Sequence, residues 1–428
     1  MLDVPNPWAR GIPPARTGAW NGRSDVTSKR VLFVDDEPGV LDELRNLLSR
    51  EPQAWVPVFA LGGAAALTEL EHDAFDAVVA DLRMPGVDGA TLLQKVRELQ
   101  PRAVRIVLSG QAERELALRA VPFAQQFLGK PCDPAVVRAV LERTFRLQDL
   151  IQDPSIQDVV GKIQSLPSVP SLYYELTRVV ASPETSMAEI AAVVERDQAM
   201  TAKVLQIVNS AYFGFNHEIA SVKDAITYLG VDMLKGLVLS AQVFRVVDAN
   251  TARVLDLERF ERFAFLTARV ARRLLQGRRN ASEAFTAAML RDIGEVVLAQ
   301  HLRGRHASVQ QAARDSGRAL HEVEHEMLGI THAQIGAYLL GLWGLPHTLV
   351  EAAAFHHDLA RVEGPGCEVL AAVHVADVLV GASFATDVAA APSGRLDIAF
   401  LERAGVADLL PTWRLLVEEE LVHARESC

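Results

Sequence analysis

The stretch VLFVDDEP (31–38) decides how the first part of the chain folds. Four consecutive apolar residues without polar alternation read as a strand buried on both faces, and carboxylates follow where it emerges. The pattern recurs: DAVVA (76–80) runs into Asp81, VRIVLS (104–109) ends on Ser109, and QFLG (126–129) runs into Lys130. WVPVFA (55–60) adds a fifth β-like run. Between the runs, 39–50, 63–71, 89–99 and 112–119 carry apolar residues at helical spacing. Five such alternations predict a doubly wound α/β domain, its five strands parallel with their carboxyl ends on one edge.

That edge carries chemistry. Three carboxylates there, Asp35, Asp36 and Asp81, repel one another and need a cation. An all-oxygen set suits Mg²⁺, which keeps several waters and takes a phosphate oxygen as a further ligand. A lysine offers a point charge to a phosphate, a serine hydroxyl a hydrogen bond, and a carboxylate can attack as a nucleophile to give an acyl phosphate. One Asp after a strand is more often a helix cap. Asp36, Asp81, Ser109 and Lys130 at intervals of 45, 28 and 21 residues form a constellation.

VLFVDDEP, DAVVADLRMPGVDG, RIVLSG and FLGKP make residues 29–148 resemble the receiver domain of two-component response regulators. The resemblance implies Asp81 as the phosphoacceptor. It implies Mg²⁺ held by Asp35, Asp36, Asp81 and the backbone carbonyl of Arg83. Ser109 and Lys130 would hold phosphoryl oxygens, Phe127 would be the aromatic switch, and Lys130–Pro131 a cis peptide. Ser109 stands for the commoner Thr, and Phe127 lacks a Tyr hydroxyl; no active-site position departs from the pattern.

The 428 residues hold 43 basic and 54 acidic side chains, a net charge of −11 that argues against a broad nucleic-acid surface. Cys132, Cys367 and Cys428 lie far apart, as in a reducing compartment, and no apolar run is long enough to span a bilayer or to resemble a signal peptide. A cytoplasmic protein without membrane insertion is expected. Residues 1–29, rich in Pro, Gly, Arg and Ser, read as a disordered tail. Residues 134–152 read as a last helix running on past the first domain, and from about 157 to 424 the strand signal gives way to helical periodicity.

Nine of the twelve histidines fall between His301 and His374. His301, His306, His321 and His325 sit among Arg, Glu and Gln and read as solvated. His332 opens a helix, His356 and His357 close another, and Asp292 lies in the apolar helix AAMLRDIGEVVL, a costly place for an unpaired carboxylate.

LPSVPSLYYEL (166–176), AEIAAVVERDQAMTAKVLQIVNSAYFG (188–214), AFTAAMLRDIGEVVL (284–298) and the run from Leu328 to His357 make 157–400 resemble the HDOD family. That family is a degenerate branch of the HD superfamily of metal-dependent phosphohydrolases. An active HD site uses an upstream His, a His-Asp doublet, a further His or His pair and a late Asp. Here the doublet is Arg291-Asp292, and the upstream place falls near Phe263. The remaining set is Arg291, Asp292, His332, His356, His357 and Asp377. Arg cannot ligate a cation, so a two-metal site is short of ligands. No cofactor is expected in this half; one ion on His332, His356 and Asp377 is the alternative. The GYP element of the cyclic-di-GMP phosphodiesterase branch is absent, and EGPGCEV (363–369) stands there.

These readings divide the chain into a tail (1–29), a receiver (30–148), a linker continuing its last helix (149–156), an all-α HDOD domain (157–400) and a C-terminal helical segment packed on it (401–428). The expected partners are a sensor histidine kinase and a downstream signalling protein bound by the non-catalytic HDOD domain, or a second copy in a homodimer, and no nucleic acid. The rival readings are a metal-dependent phosphohydrolase of the HD superfamily acting on nucleotides or cyclic dinucleotides and a nucleotide-binding sensor.

Overall fold

Val31, Leu32, Phe33 and Val34 are all buried, as a strand with helices on both faces requires. In the computed structural model the described residues are 29–48, 55–109, 122–130, 134–150, 154–163, 185–209, 218–229, 256–362, 367–384 and 395–426, with the pairs 167–168 and 245–246 and a few isolated positions. Apart from Lys29, the expected tail lies outside them, as do Pro131 and most of the helix expected over 112–119.

The strands are β1 (Lys29–Asp35), β2 (Trp55–Leu61), β3 (Ala77–Asp81), β4 (Val104–Ser109) and β5 (Gln126–Gly129), in the order β2-β1-β3-β4-β5 and parallel throughout. Helices α1 (Pro38–Leu48), α2 (Gly62–His72) and α3 (Gly89–Leu99) alternate with the strands. The central strands are buried on both faces, each large apolar side chain contributing about 1.5–3 kcal/mol against exposure. Edge strand β2 leaves Val56 and Leu61 exposed. The other edge, β5, is buried, because the helical half covers it.

That cover is specific. Gln206, in the helical half, donates from Nε2 to the carbonyls of Ala124 (3.4 Å) and Gln125 (3.2 Å) just before β5. Helix α4 (Pro134–Leu150) carries Arg143, whose guanidinium donates to the carbonyls of Gly341 (2.9 Å) and Leu345 (3.3 Å). A further helix, α5 (Pro154–Lys162), starts at a proline, which suits a first helical turn. α5 is tied back to the sheet by Asp158 to Arg102 and by the Gly161 carbonyl, which accepts from Arg105 at 2.6 Å.

Beyond α5 come β6 (Pro167–Ser168), α6 (Met187–Val194), α7 (Gln198–Val208) and β7 (Arg245–Val246). β6 and β7 pair in parallel where no strand was expected; two residues are too few for periodicity to signal. Then follow α8 (Leu257–Leu274), α9 (Ala281–Leu290), α10 (Ile293–His301), α11 (Arg303–Ser316), α12 (Leu320–Leu328), α13 (His332–Leu342), α14 (His347–Phe355), α15 (Glu368–Phe384), α16 (Ile398–Arg403) and α17 (Leu410–Glu426). α8 packs on α9, α15 and α17, and α13 packs on α10, α14 and α4. α17 is clamped to α8 by Glu420, which takes Arg269 (2.7 Å) and Arg273 (3.0 Å). Among the described residues no helix is long and apolar enough to cross a membrane.

Candidate functional site

The first site is built by strand ends. Asp35 closes β1 and Asp81 closes β3, and both are buried although they face the ligand-binding edge. Lys130, one residue past β5, reaches both: its Nζ lies 2.8 Å from Asp35 Oδ2 and ion-pairs with Asp81 Oδ1. Burial works against the ammonium, but the two carboxylates outweigh it and raise the lysine pKa. Backbone N–H groups orient the acids, Glu37 N to Asp35 Oδ1 (3.0 Å) and Arg83 N to Asp81 Oδ2 (2.8 Å). Asp36 is half-buried beside them.

The loop after Asp81 is pressed close. A Cβ on Gly89 would fall 2.1 Å from the Asp81 carbonyl oxygen, so only glycine lets α3 start there, with Asp88 capping Thr91 N at 2.8 Å. Ser109 ends β4, buried, and its carbonyl accepts from Lys130 N at 2.8 Å. Phe127 pairs with Val107, two residues before Ser109, so Phe127 and Ser109 share one sheet face. The all-carboxylate set fits Mg²⁺ and not a nitrogen- or sulfur-seeking ion.

The second site lies in the helical half, where Arg291, Asp292, His332, His356, His357 and Asp377 converge. The RD doublet is not inside one helix. α9 ends at Leu290 and α10 begins at Ile293, and Asp292 (φ −100°, ψ 14°) caps the junction, which turns its carboxylate inward. α10 crosses α13 so closely that a Cβ on Gly294 would sit 1.9 Å from the His332 carbonyl oxygen.

Arg291 is fully buried and divides its charge between two acids. Its Nη2 lies 2.9 Å from Asp292 Oδ2 and 2.8 Å from Asp377 Oδ1, its Nη1 donates to the Ala288 carbonyl, and its plane stacks on Phe263 at 4.8 Å. Asp377 is therefore taken by Arg291, and the ion set His332–His356–Asp377 does not form; His357 joins the other two histidines instead. Asp292 Oδ1 lies 3.1 Å from His356 Nε2 and 3.5 Å from His332 Nε2. Burial opposes the Asp292 charge, yet Arg291 and the two imidazoles outweigh it and hold its pKa well below the ordinary value. His332 moves the other way, because Glu324 and Asp292 outweigh burial and raise it well above the ordinary imidazole value.

Glu324 is a part of this site that the sequence reading missed. It is fully buried, and its Oε2 accepts from His332 Nδ1 (2.6 Å) and His332 N (2.8 Å). A signal existed: Leu320, Val323, Glu324 and Leu328 fall on one helical stripe, so Glu324 occupies an apolar position. His306 corrects the solvated reading by the same rule, lying buried in line with Leu302, Val309 and Ala313, where burial lowers its pKa to about 4. His321 is half-buried and stacks on His357 at 4.3 Å, whereas His301 and His325 are exposed.

Comparison with known proteins matches both halves. A family model for the response regulator receiver domain covers residues 31–142, and one for the HDOD domain covers 166–359. The chain belongs to the response regulators that join a receiver domain to an HDOD domain. An uncharacterized protein of Treponema pallidum is 25% identical over 53% of this regulator and 44% of its own length. The transcriptional regulatory protein FixJ of Bradyrhizobium diazoefficiens is 29% identical over 33% of the regulator and 69% of its own length. The MmoQ response regulator of Methylococcus capsulatus is a structural neighbour at 21% identity and TM-score 0.47, covering 58% of the regulator and 98% of the MmoQ chain. The regulator spans less than half the length of the Treponema protein and of the Bacillus subtilis regulatory protein YesN.

Proposed function

We propose that a histidine kinase phosphorylates Asp81, and that this switches a non-catalytic HDOD output acting through a protein partner. In this reading the receiver spans 30–148, a linker 149–156 and the HDOD domain 157–400, with 401–428 packed on it. An Asp81 carboxylate oxygen attacks the phosphorus of the kinase's phosphohistidine. A P–O bond forms as the P–N bond breaks, and the leaving imidazole takes a proton from solvent. Asp35, Asp36, Asp81 and the Arg83 carbonyl would hold Mg²⁺, which would supply positive charge against the phosphoryl oxygens.

Lys130, paired with Asp81 before transfer, exchanges that carboxylate for a phosphoryl oxygen. Ser109 donates its hydroxyl to another, and Phe127 follows on the same face. β5 then carries the change to the carbonyls that Gln206 holds, and α4 carries it through Arg143. Such a switch biases a two-state interface.

The observation that carries the non-catalytic reading is the buried Arg291 between Asp292 and Asp377, a fixed cation where a two-metal hydrolase needs a ligand. The rival phosphodiesterase or nucleotide sensor draws support from the Asp292–His332–His356–His357 cluster. Hydrolysis assays on the full chain with Mn²⁺, Fe²⁺ and Zn²⁺, with and without phosphorylation, decide between them. No turnover is expected; turnover that Asp292→Ala abolishes overturns the reading.

A further inference from the structure

The receiver sheet has a second edge, where the strands begin, opposite the edge that carries Asp81. A cavity of about 440 Å³ opens there, a size within the range of small-molecule sites. Its wall is assembled from the first residue of β1, the residues leading into β3 and β4, the end of α4, and α5. Helix α5 is seated against this edge by close backbone contact: a Cβ on Gly161 would fall 1.9 Å from the Pro101 carbonyl oxygen.

The charges in the wall balance. Lys29 pairs with Asp76 at 3.2 Å, and Arg102 pairs with Asp158 at 2.5 Å. The second pair leaves capacity on both partners. Arg102 bonds Asp158 Oδ1 through Nε, and among the described residues its Nη1 and Nη2 and the Asp158 Oδ2 make no hydrogen bond. Two guanidinium N–H groups form a fork that fits a carboxylate, and the carboxylate oxygen next to them accepts from an ammonium. Gln148 adds an acceptor. It is buried, and its Nε2 donates to the carbonyls of Asp76 (3.3 Å) and Arg102 (3.2 Å), which fixes the orientation of the amide. Its Oε1 then has no donor among the described residues, a costly state for a buried acceptor. Apolar surface completes the wall: Leu99, at the end of α3, is 53% exposed, and Phe75 and Pro101 line the cavity with it.

A ligand of net charge gains against one sign of such a wall and loses against the other. A molecule with a carboxylate and an ammonium on one carbon, and an apolar remainder, meets every feature at once. We propose that this cavity binds a free apolar α-amino acid. Its carboxylate takes Arg102 Nη1 and Nη2, its ammonium donates to Asp158 Oδ2 and Gln148 Oε1, and its side chain covers Leu99. Arg102 belongs to the receiver and Asp158 to α5, so the ligand bridges the two and strengthens the seating of α5. The proposal stands apart from the reading of Asp81 and of the helical half.

The test is calorimetric titration of the full chain with L-leucine, L-isoleucine, L-valine, L-methionine and L-phenylalanine, one at a time. At least one is expected to bind saturably, one molecule per chain, and to slow hydrogen exchange in 99–103 and 154–163. Its deaminated and decarboxylated analogues (for leucine, 4-methylpentanoate and 3-methylbutylamine) should each bind about 10- to 100-fold more weakly, because each end makes charged hydrogen bonds. Arg102→Lys keeps a cation beside Asp158 and loses the fork, and Asp158→Asn keeps an acceptor for Arg102 Nε. Both should fold and weaken binding by a similar factor. No saturable binding of any of the five overturns the proposal. An analogue that binds as tightly as the amino acid overturns the zwitterionic chemistry. Affinity unchanged in both folded variants, or exchange slowed only outside 99–103 and 154–163, overturns the site.

Discussion

Arg291 bonds Asp377 across 86 residues of sequence, with Nε and Nη2 both 2.8 Å from Asp377 Oδ1 and the arginine wholly buried. A guanidinium so placed neutralises two acids that would otherwise be buried charges. Removing one partner of a buried ion network typically costs about 3–5 kcal/mol, because the other charges are left uncompensated. Arg291→Met is expected to destabilise the chain by about that much in urea unfolding. A variant as stable as the wild type would falsify the charge-neutralising role.

Asp81→Asn keeps the side-chain shape and removes the attacking oxygen. Acetyl phosphate with Mg²⁺ should add one phosphoryl group to the wild type and none to the variant, read by intact mass. Persistent addition in Asp81→Asn would move the phosphoacceptor elsewhere. Lys130→Ala should still fold, since the lysine stands on the rim, and should respond to phosphorylation more weakly.

The receiver was legible because its chemistry follows strand ends: Asp35, Asp81, Ser109 and Lys130 each terminate an apolar run, and a parallel sheet brings such termini together. The helical half was less legible. The histidines and acids were visible as residue types, but their pairing depends on helix crossings that no local pattern encodes. Asp377 is a ligand beside His332 and His356 only in the alternative reading, and in the fold it pairs with Arg291. His306 reads as solvated because its sequence neighbours are charged, and Glu324 draws no notice among its own, although both lie on apolar stripes. The cover on β5 was equally hidden. Gln206 sits in an apolar helix, and nothing in its neighbourhood announces that it bonds to carbonyls some 80 residues earlier.

Arg143 tests the route between the halves. Its guanidinium satisfies carbonyls at the carboxyl end of α13, where a positive charge also meets the helix dipole favourably. Hydrogen bonds from a charged donor contribute about 1.5–3 kcal/mol. Arg143→Met should leave Asp81 labelling intact and loosen the contact. Hydrogen exchange with and without beryllofluoride should then show the response of 332–355 reduced in the variant while that of 109–130 persists. An unchanged response in 332–355 would remove Arg143 from the route.

Lys203 gives the fold a pH dependence of predictable sign. It is buried on α7 with its Nζ 5.4 Å from the centre of the Trp343 ring, and burial lowers its pKa to about 7. The folded pKa therefore lies below the unfolded one, and between about pH 7 and the ordinary lysine range the unfolded chain binds the extra proton. Stability should rise with pH across that window, and the cost of burying the ammonium should be fully present below it. Lys203→Met keeps the length and the packing on Trp343 and removes the charge. At about pH 7 it should stabilise the chain by on the order of 2–4 kcal/mol, an advantage that shrinks as the pH approaches about 10. Paired urea titrations at the two pH values measure this directly. An advantage that stays the same at both, or a variant less stable than the wild type near neutrality, would show that the ammonium is better solvated in the fold than its burial implies.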